Sequence, residues 1–283
     1  MTQIDITIVY LTHRPGGIDM LAESLRHQIP TYELVVIDGY PGRVERGVAR
    51  QYLLDAGVRL AHYGKPKPRS YPGSATGFAN AMNTGALWVR SPYVVFLHDF
   101  TYMLPGAISQ WMVCRRFHPA RSLISGIASM RDVQPPENTT DLSLWGDPGT
   151  CLRNLYNETE RWVPRKFELF YAGFPIDFIT AINGFDERAD TGHINWTYAS
   201  VIHQAEAHEY SLRVDPRLEV IMGNHRKWGE SESDSPDSGN SKLWYPAREP
   251  EAKVKRPEWL PASPNPYTFR NLRKMYSELE RLL

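Results

Sequence analysis

Three short runs of β-branched and aromatic residues constrain this chain more than any other feature. Ile6-Thr7-Ile8-Val9-Tyr10-Leu11 ends in Thr12-His13-Arg14-Pro15, Leu34-Val35-Val36-Ile37 ends in Asp38-Gly39, and Tyr93-Val94-Val95-Phe96-Leu97 ends in His98-Asp99-Phe100. Each is bounded by turn residues and reads as a buried strand. Helix-like sequence separates them, which argues for βαβ units and a largely parallel sheet. In open sheets of this kind ligands bind at the carboxyl ends of the strands, and there each run delivers polar side chains.

The spacing between the runs supports that reading. After Pro15-Gly16-Gly17, the residues Ile18, Leu21, Ala22 and Leu25 mark one face of a helix. A second helix is predicted over 44–56 with a stop at Gly57, and a short third strand over 58–61. A stretch rich in Gly, Pro and basic residues covers 64–77. Phe78, Met82, Ala86 and Val89 then recur at helical spacing before the strand that begins at Tyr93.

Beyond Pro105 the pattern predicts a helix around Ile108, Trp111 and Met112, a strand over 123–127, and an irregular stretch over 131–165. An irregular stretch of that length inside a compact domain is usually functional or disordered. The apolar run 178–182 leads into Asn183-Gly184-Phe185-Asp186-Glu187, a helix is predicted over 196–208, and a last strand over 218–222. Ser, Asp, Pro and Glu dominate 229–266, which reads as an arm. Leu272, Met275, Leu279 and Leu282 close the chain as an amphipathic helix, with self-docking as the default and pairing into a homo-oligomer as the alternative.

Composition narrows the function classes. The 283 residues suffice for a full-sized core. Lys plus Arg and Asp plus Glu number 32 each, so no global field gathers nucleic acid or an anionic membrane. The two cysteines, Cys114 and Cys151, make neither a disulfide framework nor a metal-ligand motif. The N-terminus carries no export pattern, and no apolar run approaches the ~20 residues that cross a bilayer. The expectation is a cytoplasmic protein.

The polar strand ends suit a nucleotide-sugar site. Asp38 is placed to accept a hydrogen bond from a base N–H, although a lone Asp after a strand also serves as a turn cap. Thr12 and Arg14 would line the nucleotide pocket. The segment ending at Gly77 enters a helix and offers backbone N–H groups to a phosphate. Asp99 would meet a metal or the donor sugar.

With these motifs the chain resembles a family 2 glycosyltransferase of the GT-A fold. The resemblance rests on the first βαβ unit from Ile8 to Gly39, on Gly77-Phe78-Ala79-Asn80-Ala81-Met82-Asn83-Thr84-Gly85, and on Asn183-Gly184-Phe185-Asp186-Glu187. It covers roughly residues 4 to 225. It implies a Rossmann-like α/β mixed sheet flanked by helices, with an irregular C-terminal extension. Residues 1–105 would form the nucleotide-sugar half, 106–228 the acceptor half, and 229–283 an arm with a terminal helix. It further implies inverting, hexosyltransferase-like transfer from a nucleoside-diphosphate sugar to a carbohydrate or other hydroxyl acceptor. Asn83, His98 and Asp99 join the nucleotide-sugar site.

Two departures from the family pattern stand out. Where the family has Asp-x-Asp, this chain has His98-Asp99-Phe100, so a phenylalanine replaces the metal-binding carboxylate. Where the family has a Glu-Asp pair supplying the base, this chain has Asp190-Thr191-Gly192-His193, which leaves Asp190 or His193 for that role. His225 would complete a site for Mn or Mg with Asp99, or Arg226 and Lys227 beside it would balance the diphosphate charge without a metal. Two alternatives accompany this reading. One is transfer to a modified base in DNA, with the basic Lys65–Arg69 stretch as its footing. The other is a GT-A scaffold that binds a nucleotide or glycan without turnover.

Overall fold

A computed structural model describes residues 4–13, 16–40, 42–68, 77–133, 155–162, 167–191 and 195–224. The N-terminal part alternates as the sequence predicts. Strand β1 (Ile6–Thr12) is followed by α1 (Ile18–Arg26), β2 (Tyr32–Asp38), α2 (Arg43–Arg46), α3 (Val48–Asp55), β3 (Leu60–Gly64), α4 (Phe78–Leu87) and β4 (Tyr93–His98). The predicted second helix is two, because Gly47 adopts a left-handed φ of 68° and breaks it.

The remaining elements are β5 (Thr101–Met103), α5 (Ala107–Phe117), β6 (Ser122–Val133), β7 (Leu155–Trp162), β8 (Tyr171–Pro175), α6 (Ile176–Ala181), a 3-10 turn (Glu187–Thr191), α7 (Asn195–Ala207) and β9 (Ser211–Asn224). Two regions differ from the sequence reading. The stretch expected to be irregular contains the end of β6 and all of β7. The last strand starts at Ser211 rather than 218, because β9 passes Pro216 through an irregularity in its pairing with β6 opposite Gly126. A Cβ on Gly126 would lie 2.4 Å from the Leu218 carbonyl oxygen and 2.4 Å from the Tyr171 ring, so only glycine fits there.

All nine strands form one mixed sheet in the order β3-β2-β1-β4-β8-β6-β9-β5, with β7 paired to β6. β1, β2, β3 and β4 are mutually parallel where they pair, and β8 enters antiparallel between β4 and β6. β1 is buried along its whole length, which explains its unbroken apolar character. Its alternate residues feed opposite layers. Ile6, Ile8 and Tyr10 pack with α1, α3 and α5, whereas Val9 and Leu11 pack with α4, α6 and α7. Gly85 of α4 sits so close to the sheet that an added Cβ would lie 2.3 Å from Val9 Cγ1. Among the described residues no helix is long and apolar enough to cross a membrane.

Candidate active site

The parallel register brings the strand ends together. Thr12 stands opposite Asp38, and Leu11 opposite His98, so β1, β2 and β4 present their polar ends side by side. Asp38 has no exposed surface. Its Oδ1 accepts from the backbone N–H of Tyr40 at 2.9 Å and from Arg43 Nη2 at 2.9 Å, and its Oδ2 accepts from Arg43 Nε at 2.5 Å and the Tyr63 hydroxyl at 2.5 Å. Arg43 Nη2 also donates to Thr12 Oγ1 at 3.0 Å. The guanidinium is 2% exposed and lies over the Tyr40 ring at 5.0 Å.

A buried forked pair of this kind is stable only while both partners remain. Burial alone would lower the Arg43 pKa, but the bonds and charge of Asp38 outweigh it and raise it. Burial first, and the neighbouring Asp38 charge second, push the Tyr63 phenol well above its usual range. Asp38 is therefore at the expected place with its four acceptor positions taken by the protein. Arg43 and Tyr63, which complete the cluster, were not singled out from the sequence. An arginine five residues past a strand-end Asp looks like any solvated side chain until the fold buries it.

At the end of β4 the chain turns sharply. Phe100 takes a left-handed φ of 57°, and its ring is fully buried rather than aimed at a ligand. Its N–H donates to the Tyr10 hydroxyl at 3.0 Å, and its carbonyl accepts from the N–H of Gly223 at 2.8 Å. Asp99 is 4% exposed, with His13 Nδ1 at 4.0 Å from its Oδ2. The His98 ring stands edge-on to Phe78 at 4.9 Å. Hard divalent cations want several oxygen ligands, and here the described residues offer one carboxylate, Asp99. No group of three His, Cys, Asp or Glu side chains gathers to hold a metal among them. They do not make up such a site by themselves.

Of the segment expected to offer N–H groups to a phosphate, residues 73–76 lie outside the described residues, and Gly77 occupies the N-cap position of α4 without a side-chain cap. The next free N–H groups of the helix, those of Ala79 and Asn80, donate to the Asp190 carboxylate at 2.9 and 3.0 Å. Asp190 is 2% exposed. A carboxylate at a helix N-terminus is stabilised by the same dipole that would attract a phosphate, so it fills that place. Asn83 is likewise used internally. Its amide donates to the Phe185 carbonyl and to Glu187 Oε1, both at 2.8 Å, and accepts from the Phe185 N–H at 2.8 Å. Glu187 is buried and receives Lys67 Nζ at 2.7 Å. Glu187 belongs to the Asn183–Glu187 motif and Lys67 to the basic stretch, but nothing in the sequence marks the two as a pair.

No protein-family model and no curated protein matches the chain. Solved structures do. S. aureus TarS 1–349 in complex with UDP aligns over 77% of this chain and 60% of its own, with a TM-score of 0.50 and 10% identity. S. aureus TarS 1–349 aligns over 99% of this chain and 92% of its own, with a TM-score of 0.51 and 12% identity. The chain thus spans less than two thirds of the UDP-bound relative in the first match. Such identities speak to the fold. The chain has the GT-A fold.

Within this GT-A domain the other sequence-derived candidates, Arg14, His193, His225, Arg226 and Lys227, lie outside the described residues, as does the arm 229–283. The basic stretch considered for DNA is largely engaged, since Lys65 pairs with Glu45 and Lys67 with Glu187.

Proposed function

We propose that the protein is a glycosyltransferase that moves a sugar from a nucleoside-diphosphate sugar to an acceptor hydroxyl, with inversion. The observation that carries this reading is the buried Thr12–Asp38–Arg43–Tyr63 cluster at the carboxyl end of a GT-A sheet, where such sheets take their ligands. The UDP held by the TarS structure supports a nucleoside diphosphate as the common ligand. In this proposal residues 1–105 bind the donor, 106–228 build the acceptor side, and Asp38 acts by holding Arg43 and Tyr63 against the nucleotide.

The chemistry follows from the groups left available. With the Asp190 carboxylate capping α4, His193 is the base. Its imidazole takes the proton of the acceptor hydroxyl, the oxygen bonds to the anomeric carbon, and the bond from that carbon to the diphosphate breaks. Arg226 and Lys227 would balance the departing charge. They follow closely on Gly223, whose N–H binds the Phe100 carbonyl beside Asp99. No step here runs through a metal.

Calorimetric titration with UDP, GDP and their sugars, each with and without Mn, tests the reading. We expect one nucleotide to bind and Arg43→Ala to weaken it at least about tenfold, or ~1.4 kcal/mol. Hydrolysis of the bound donor separates an enzyme from a non-catalytic binder. No binding by any of these nucleotides would overturn the proposal.

A further inference from the structure

At the opposite end of the sheet lies a cavity of about 290 Å³ that the chemistry above does not use. Its walls come from Tyr93 at the start of β4, from Arg115, Arg116 and His118 at the end of α5, and from Ser122 at the start of β6. β4 runs from Tyr93 here to His98 at the donor end, so about 17 Å of strand separates the two places.

The charge of this cavity is one-sided. No carboxylate lines it. Arg115 lies with its guanidinium 5.0 Å above the Tyr93 ring, and neither Arg115 nor Arg116 has an ion-pair partner among the described residues. The acid that holds His118 of the same wall, Asp215, binds its Nε2 at 2.9 Å and is already matched by Arg217, through Nε to Oδ1 at 2.9 Å and Nη2 to Oδ2 at 2.6 Å. The Tyr93 hydroxyl is buried on the core side, against Gly173, so the ring and not the hydroxyl belongs to this wall.

Arginines in the last turn of a helix complement its dipole, which accounts for their presence on α5. It does not account for two neighbouring arginines left without a carboxylate beside a cavity whose wall holds none. Such a wall suits a ligand that carries negative charge. The apolar part of the wall, Ile124 and Pro175, suits a carbon skeleton. The volume equals about ten waters, enough for one phosphate on a short chain or a single sugar ring. We propose that this pocket is a second site, binding a small organic phosphate between Arg115 and Arg116. Guanidinium forks match phosphate oxygens in pairs, which favours a phosphomonoester over a single carboxylate.

The test is calorimetric titration of the full chain with inorganic phosphate and with glycerol 3-phosphate, alone and with saturating UDP. We expect binding in the millimolar range or tighter that UDP leaves intact. In Arg115→Ala/Arg116→Ala it should fall at least about tenfold, with UDP affinity unchanged. Absence of phosphate binding, binding indifferent to the arginines, or binding abolished by UDP would overturn the proposal. If UDP binds neither protein while phosphate binding still needs the arginines, the donor-site reading fails and this one stands.

Discussion

At the scale of single residues the fold is most exposed to change at Arg43. Its guanidinium is the only cation in contact with a fully buried Asp38 among the described residues. Arg43→Ala strands that charge, and we expect a loss of about 3–5 kcal/mol, read from urea unfolding. Arg43→Lys keeps the charge but loses the fork and should fall between. His62 governs a smaller effect with a defined sign. It stacks on Trp88 with ring centroids 3.8 Å apart, and burial lowers its pKa to about 4 from 6.5. Between those values the unfolded chain takes up a proton that the folded chain refuses. Stability from this group is therefore full above pH 6.5 and is lost as pH falls toward 4, by on the order of 1–2 kcal/mol after allowing for its partial exposure. The difference between wild type and His62→Gln in unfolding midpoints at pH 7 and pH 4.5 isolates the term from the carboxylates. Equal pH slopes would remove His62 from the account.

At the scale of elements, the sequence made the repeating parts legible and concealed the parts that depend on distant partners. α1 and α4 follow from apolar spacing, and β1, β2 and β4 from unbroken β-branched runs. β8 is hard to read because Gly173 and Pro175 interrupt five residues, yet Gly173 is needed where a Cβ would lie 2.6 Å from both Trp111 and Tyr93. β7 alternates polar and charged residues and resembles a loop until it pairs with β6. The same holds for the site. Strand ends revealed Asp38 and Asp99 because position alone marks them. Arg43, Tyr63, Lys67 and Glu187 acquire roles only through burial, and Asp190 only by capping a helix more than a hundred residues earlier in the chain. That cap carries its own prediction. Asp190→Asn should cost about 0.5–2 kcal/mol and should move thermal stability without changing the pH profile of any transferase activity. A shifted profile would return Asp190 to the role of base.

At the scale of the whole molecule, the regions proposed to bind donor and acceptor share one sheet, because β8 of the later half pairs with β4 of the earlier one. The buried Lys67–Glu187 pair adds a second tie, from the segment after β3 to the turn that precedes His193. Among the described residues a ligand bound at the strand ends meets one continuous sheet and should stabilise it as a unit. Linkage gives the size. A nucleotide at a hundred times its dissociation constant adds about 2.7 kcal/mol, which for a domain of this length corresponds to roughly 5–11 °C in Tm. We expect that rise with the nucleotide that calorimetry selects, in a single transition. It should persist in Arg115→Ala/Arg116→Ala and be much reduced in Arg43→Ala at the same nucleotide concentration. A rise confined to one of two separate transitions would mean that the halves unfold independently. The continuous sheet would then not transmit donor binding to the acceptor side.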